Sequence, residues 1–265
     1  MRGTCLCQNT TFHPYIVYKN ETVFKKYEGT IIGRCTKCRL LRTFNDKIKP
    51  TISQVETYET KNEEYKKEFR PILSVLQGRN IKNVLDIGCA SGILLSLLEQ
   101  RGYNVYGLEP NKEAYIQANK KFPRRIFYGT LRKFKKNNKK RFDAVIYNHV
   151  LEHIQNVAEE IELIKRSLTK NGLLIIGVPN TRSIIFSVRK KYWESILPDQ
   201  HVWHFSDTYL TEYLQKKELR LLHKSYAHYS RADYPVIKRV YFSLLKSIDV
   251  IARTGEAVLL TFQLR

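Results

Sequence analysis

The chain has 265 residues, 43% of them hydrophobic, which suits one large domain with small additions or two modest ones. Lys and Arg number 46 against 25 Asp and Glu, a formal net charge of +21 that attracts anionic partners and excludes an acidic surface. The N-terminus is polar and no apolar run approaches the ~20 residues a bilayer span needs, so neither a signal peptide nor a transmembrane helix is expected. The default placement is cytoplasmic, with a membrane-peripheral position as the alternative.

Residues 1–50 read as a small separate module with short β-prone stretches at Tyr15–Tyr18, Val23–Tyr27 and Thr30–Ile32. It has too little apolar material for a core of its own, a shortage that a structural zinc relieves. Cys5 and Cys7 form one close pair and Cys35 and Cys38 another. In a cytosolic chain such pairs read as metal ligands before disulfides. Cys35-x-x-Cys38 has zinc-knuckle spacing, whereas Cys5-x-Cys7 is one residue short. A distorted four-thiolate site, His13 as a replacement ligand, or four free thiols are the readings that follow. Residues 51–77 read as a helical linker or lid, with Tyr58, Tyr65, Phe69, Ile72 and Leu76 at roughly helical spacing.

Residues 84–109, VLDIGCASGILLSLLEQRGYNVYGLE, carry most of the information. A strand runs into Asp86, and a tight turn follows with Gly88, Ala90 and Gly92 at alternate positions. An apolar helix then carries Ile93, Leu94, Leu97 and Leu98, stops at Gly102, and yields to a second strand ending in Glu109. Small turn residues let the backbone approach a ligand, and an acid about 20 residues further on accepts ribose hydroxyls. A dinucleotide fold would use G-x-G-x-x-G with a pyrophosphate on the helix N-terminus. Here the spacing is G-x-A-x-G, and Asp86 would repel a pyrophosphate but suits an ammonium group. S-adenosylmethionine (SAM) has that ammonium, a ribose diol and no phosphate. The stretch resembles the first two motifs of class I SAM-dependent methyltransferases, which implies a Rossmann-like α/β sheet over residues 78–265.

Further alternation supports a parallel sheet covered on both faces. A helix over Asn111–Lys121 has Asn111 as its N-cap. A short strand at Arg125–Tyr128 precedes the basic block Arg132–Arg141, which reads as a solvated loop. Strand Phe142–Tyr147 and helix Val157–Leu168 follow, the latter with a stripe of Val157, Ile161, Ile164 and Leu168. Asn171-Gly172 is expected to break that helix before strand Leu173–Val178. Ser206 caps a helix over Asp207–Lys217, and strands Arg220–Tyr226 and Ala257–Leu264 form an antiparallel pair at the sheet edge. Between them, 235–253 is an amphipathic helix with Ile237, Val240, Tyr241, Leu244, Ile248 and Ile251 on its apolar side. Packing on the sheet is its expected role, and peripheral membrane contact is the alternative.

Strand Phe142–Tyr147 runs into Asn148-His149-Val150-Leu151-Glu152-His153 at the carboxyl edge of the sheet, where this architecture places chemistry. If the segment turns helical, His149, Glu152 and His153 share a face. H-x-x-E-H also occurs in a class of zinc peptidase, but there on a long helix. The other readings are a site for a divalent cation or substrate, and a structural loop that positions SAM. His201 and His204 in DQHVWHFS overhang the same edge, where a histidine is suited to act as general base. Trp193 and Trp203 are expected to wall a substrate pocket.

Together, LDIGCASG, YGLEP, FDAVIYNHVLEHI, NGLLIIGVPN and HVWHFS resemble the ubiquinone-biosynthesis-type branch of small-molecule methyltransferases. They are similar above all to bacterial members of sugar and surface-polysaccharide pathways, which often begin with a cysteine-rich zinc-binding segment. The resemblance covers about residues 1–230. It implies that Asp86, Gly88, Gly92 and Glu109 hold SAM, with Ala90 in place of the usual middle glycine. Thr130 and Leu131 would flank the adenine, and Asn148 and His149 would sit near the methionine moiety. Ubiquinone-pathway members carry an acid where this chain has His149, so their metal-assisted chemistry is not carried over.

Methyl transfer needs alignment above all, and a hydroxyl acceptor also needs a base, for which His149, His153 and His201 are the candidates in that order. The expected acceptor is a small molecule, a sugar or glycan precursor, with O-methylation favoured over N or C. The alternatives are an RNA or protein methyltransferase, which would dock through the basic surface and zinc module, and a non-catalytic SAM-fold binding subunit. No aromatic-interleaved basic motif of the RNA-recognition kind is present, so nucleic acid is a secondary expectation.

Overall fold

A computed structural model describes residues 1–19, 22–45, 68–229 and 231–265. The larger of two sheets has seven strands. From edge to edge these are β10 (Leu219–Ala227), β11 (Ala257–Leu264), β8 (Leu168–Pro179), β7 (Phe142–Asn148), β4 (Asn83–Ile87), β5 (Asn104–Glu109) and β6 (Ile126–Tyr128). Neighbours from β8 to β6 are parallel, while β11 is antiparallel to both β8 and β10. This is the Rossmann-like α/β sheet expected. Chain order reverses between β4 and β7, so their carboxyl ends flank the crevice where this class of sheet binds ligands.

Burial on both faces follows from the strand pleat. Val84, Ala144 and Ile146 point to one side, where they meet Ile72, Leu73 and Leu76 of α1 (Arg70–Leu76) and Leu94, Leu95 and Leu98 of α2 (Ile93–Glu99). Leu85, Val145 and Tyr147 point to the other, and meet Val157, Ile161 and Ile164. Capping starts the helices where the sequence indicates. Asn111 accepts the Glu113 and Ala114 amides ahead of α3 (Lys112–Lys121).

The smaller sheet is antiparallel: β1 (Phe12–Val17), β2 (Ile31–Cys35), β3 (Leu41–Phe44) and β9 (Trp203–His204), in that order. Its last strand comes from the histidine loop, far along the chain. Cys5, Phe12, Cys35 and Leu40 share one buried cluster with the Leu85 face of the large sheet.

Several expectations are corrected. The basic block holds a helix, α4 (Leu131–Asn137), and not a loop. Thr130 caps it by accepting the Lys133 amide, Leu131 is buried, and Phe134 packs on Phe127 and Phe142. An apolar pair at i and i+3 behind a good cap outweighs the lysines, which simply face water. Asn171-Gly172 does not separate helix from strand. The helix α5 (Val157–Ser167) ends first, and β8 runs through the pair as an irregularity, with Asn171 at φ +64.

Of the lid over 51–77, Tyr58 and Tyr65 lie outside the described residues, and α1 accounts for its end. Two more helices precede β10: α6 (Ile184–Arg189) and α7 (Asp207–Gln215), the latter capped by Ser206. After β10, α8 (Val236–Ile251) buries Phe242, Leu245 and Asp249 and turns its expected packing face outward. Among the described residues no helix is long and apolar enough to cross a membrane.

Candidate active site

The turn after β4 is pinned to β5, because the Gly88 and Cys89 amides both donate to the Leu108 carbonyl at 2.8 and 3.1 Å. Gly88 has φ +71, and a Cβ there would lie 2.6 Å from Val150 Cγ2. Only glycine meets both constraints. Ala90 follows at φ +47, and Gly92 opens α2. The Glu109 carboxylate accepts the Ala90 amide at 2.8 Å and the Asn111 amide at 2.7 Å, which fixes its orientation beside the turn. Burial raises its pKa while these two amides oppose the shift.

Asp86 ends β4 at the floor of a cavity of about 220 Å³, also bounded by Phe69, Gly88, Ser91, Asn148 and His149. Burial, reinforced by the Glu109 charge, pushes Asp86 up to about 8. An ammonium group entering the cavity beside this carboxyl favours its ionised form and would draw the pKa back down. The constrained turn, Asp86 and Glu109 fit SAM.

Asn148 and His149 close the opposite wall. The His149 amide donates to the Gly177 carbonyl at 2.8 Å, and its backbone sits at φ +56. This bend aims the imidazole at the cavity instead of along β7. Behind it, the short 3₁₀ turn Leu151–His153 buries Glu152, whose Oε1 lies 3.4 Å from His149 Nδ1. Neither Glu152 oxygen has a hydrogen-bond partner among the described residues. Burial would push this carboxyl up, but the His149 contact and the surrounding imidazoles hold it down to about 2. Burial also opposes charge on His149, and there Glu152 prevails and raises the pKa.

His153 donates from Nδ1 to the Gln200 carbonyl at 3.0 Å, which leaves Nε2 to accept. His201 packs edge-on against His153 with ring centroids 4.8 Å apart, and burial lowers its pKa to about 4. His153, His201 and Glu152 place ligand atoms within 4.8 Å of one another. Of the three histidines expected as base, His149 lines the cavity, while His153 and His201 stand behind it. His204 is buried, with Nε2 2.9 Å from Thr43 Oγ1.

The four outlying cysteines converge. Cys5 and Cys38 have sulfurs 3.5 Å apart, Cys7 and Cys35 3.6 Å, and all four lie within 4.8 Å. Zn–S bonds of 2.3 Å in a tetrahedron require sulfurs about 3.8 Å apart, and a disulfide would require about 2.05 Å. The Cys5 contact brings Cys38 down to about 5 and in return pushes Cys5 up, so this pair holds one thiolate and one thiol before any metal binds. His13 is exposed and outside this group, so the short Cys5-x-Cys7 pair suffices.

Other expected site residues lie elsewhere. Thr130 and Leu131, like Gly92 and Glu109, are not among the residues lining the cavity: the hydroxyl of Thr130 caps α4 and Leu131 is fully buried, whereas Glu109 is tied to the turn through the Ala90 amide. Neither Trp193 nor Trp203 lines the Asp86 cavity. Both are core side chains, bonded through Nε1 to Glu256 and to the Ile154 carbonyl. Sequence reading missed Thr43, whose hydroxyl donates to the His201 carbonyl at 2.8 Å and whose amide donates to Val202. A lone threonine in a short strand carries no signal of that role.

The sheet order, the Gly88 turn and the acids Asp86 and Glu109 define a class I SAM-dependent methyltransferase. Residues 56–224 match the methyltransferase domain family, and the chain belongs to it. It is 29% identical over 127 residues to the ubiquinone biosynthesis O-methyltransferase of Pelagibacter ubique, covering 46% of this chain and 52% of that protein. The Bradyrhizobium diazoefficiens enzyme of the same name is 29% identical over 157 residues, 56% of this chain and 62% of that protein. The chain thus spans about half the length of the first of these relatives. In fold it is similar to a SAM-dependent methyltransferase from Archaeoglobus fulgidus, with TM-score 0.60 at 19% identity over 80% of this chain and 100% of that one. The plantazolicin methyltransferase BpumL, solved with S-adenosylhomocysteine (SAH), gives TM-score 0.52 at 16% identity over 80% and 88%.

Proposed function

We propose that this chain transfers the SAM methyl group to a hydroxyl of a small-molecule acceptor, a sugar or glycan precursor, with His149 as general base. The observation that carries this reading is the His149–Glu152 pair at the cavity wall: an imidazole lining the cavity, backed by a buried carboxylate with no other partner among the described residues. Asp86 takes the ammonium and Glu109 the ribose, which leaves the sulfonium methyl toward the Asn148–His149 side. SAM supplies the electrophilic methyl and its own leaving group. His149 then accepts the hydroxyl proton as oxygen attacks, and Glu152 orients the ring and stabilises its charge.

The relatives are named as O-methyltransferases, which supports a hydroxyl acceptor. A separate cleft of about 540 Å³ beside His204 carries Arg34, Arg39 and Lys190, with Glu212 on the same wall and Arg182 bound to Asp207, and its excess of cations suits an anionic group on the precursor. The four-cysteine cluster is assigned to a structural zinc.

Calorimetric titration with SAH, followed by methyl transfer to nucleotide sugars, tests the reading. Glu109→Ala should abolish SAH binding. His149→Ala should keep SAH binding and lose ~10²–10⁴-fold in rate. Because Glu152 raises the His149 pKa, the acid limb of kcat/KM should lie above the usual imidazole range, and Glu152→Gln should move it to lower pH. Activity abolished by chelation and restored by magnesium would assign Glu152 to a cation instead of to His149.

A further inference from the structure

Helix α8 is built the wrong way round for a helix that only packs on a sheet. Its inward side is narrow: Phe242, Leu245 and the fully buried Asp249, whose carboxylate accepts the Ile184 amide at 2.7 Å. On the opposite side Ile237, Val240, Leu244, Ile248 and Ile251 recur at helical spacing and all face solvent, with Ile237 84%, Leu244 62% and Ile251 82% exposed. Leaving five large aliphatic side chains in water on one helix face is costly, and contiguous apolar surface of this kind marks an interaction site.

Charge identifies the partner. Lys238, Arg239 and Lys246 are exposed on the same helix, and Arg253 follows it. The helix's one acid, Asp249, is buried. Alongside, Arg189 of α6 reaches over the Phe242 ring at 4.9 Å, and the turn after it adds exposed Lys190 and the half-exposed Tyr192. An apolar stripe on a helix whose exposed charges are all cations, with the neighbouring acids limited to Asp233 before it and to Glu194, which pairs with Arg189 and Arg231, fits a helix lying in the headgroup region of an anionic bilayer. At 16 residues, about 24 Å, it is too short to span the membrane and long enough to lie along it. A second copy of the chain is a poor occupant, because pairing would bring together two bodies that each carry +21.

We propose that the outer face of α8 docks this protein onto an anionic lipid surface. This does not depend on the identity of the methyl acceptor. Its test is co-sedimentation of the full chain with vesicles of phosphatidylcholine alone or mixed with phosphatidylglycerol, for wild type and two triple variants. One is Ile237→Ser/Leu244→Ser/Ile251→Ser. The other is Lys238→Glu/Arg239→Glu/Lys246→Glu. All six side chains are exposed, so circular dichroism and SAH titration should be unchanged and serve as the folding control.

Wild type should bind the mixed vesicles and leave phosphatidylcholine vesicles unbound, with binding weakened by salt. The charge variant should lose at least about a hundredfold in partition coefficient, since each cation near the surface contributes roughly fivefold, and the serine variant about a thousandfold or more, since each inserted aliphatic side chain contributes roughly tenfold or more. No binding to mixed vesicles, equal binding to both vesicle types, or wild-type binding by the serine variant would each overturn the proposal. So would a wild-type dimer in sedimentation velocity that the serine variant converts to monomer, which would give this face to a second copy.

Discussion

Gly88→Ala isolates what the ligand turn demands of its first glycine. The substitution adds one methyl at a residue held at φ +71, and places it 2.6 Å from Val150 Cγ2. The left-handed backbone costs an alanine ~1–2 kcal/mol, and overpacking against a partly buried valine costs about 1–3 kcal/mol. Together these give a destabilisation of about 2–5 kcal/mol, or a thermal midpoint lower by roughly 4–20 °C for a domain of this size. The two contributions separate in a double-mutant cycle. Val150→Ala opens the space and leaves φ unchanged, so Gly88→Ala/Val150→Ala should recover the steric part only, with a coupling energy of ~1–3 kcal/mol. The assay is thermal unfolding followed by circular dichroism for wild type, both single variants and the double. A Gly88→Ala midpoint within error of wild type, or strict additivity in the cycle, would refute the argument that contact with Val150 fixes this position.

Two further outcomes follow from the charges and the cysteines. Asp86 stands at about 8, so in the free protein at neutral pH it holds a proton, and taking up an ammonium ligand must expel it. SAH affinity should therefore rise with pH up to about 8, and calorimetry in buffers of different ionisation enthalpy should record a released proton that Asp86→Asn abolishes. A pH-independent affinity would remove Asp86 as the ammonium partner. The cysteine cluster should hold one zinc per chain by elemental analysis, and Cys35→Ser should lose it and lower the thermal midpoint by more than about 5 °C. A metal-free wild type would leave the cluster as free thiols.

What the sequence discloses here depends on how local the physics is. The strand–turn–helix–strand unit at 84–109 is legible because Gly88, Asp86 and Glu109 act within one βαβ unit, and the observed strands and helix stay within a few residues of their expected bounds. Caps at Asn111 and Ser206 are legible for the same reason. The H-x-x-E-H spacing showed which groups would meet. It could not show that His149 faces the cavity while His153 turns to Gln200, because a backbone at φ +56 decides that. Trp193 and Trp203 misled because an aromatic suited to a pocket wall is equally suited to a core, and only the tertiary partners Glu256 and Ile154 settle the choice. Helix α8 is the sharpest case. Its amphipathic period was plain, but periodicity gives the width of an apolar face and not its direction, and the face that packs is the other one.

The least legible feature is the junction between the two sheets. β9 is only two residues long, and it pairs with β3 through Leu41–His204 and Arg42–Trp203. Thr43 then holds the His201 carbonyl and the Val202 carbonyl, and the Val202 amide donates to the Glu152 carbonyl at 2.9 Å. A continuous set of hydrogen bonds thus leads from the strand that follows Cys38 to the backbone of Glu152, the residue behind His149. Glu152 is a buried charge whose carboxylate has no hydrogen-bond partner among the described residues, so backbone contacts such as these hold it in position. The cysteine module therefore does more than cap one end of the fold. By supplying the strand against which residues 201–204 are ordered, it fixes the distance between Glu152 and the imidazole on which a general-base mechanism depends.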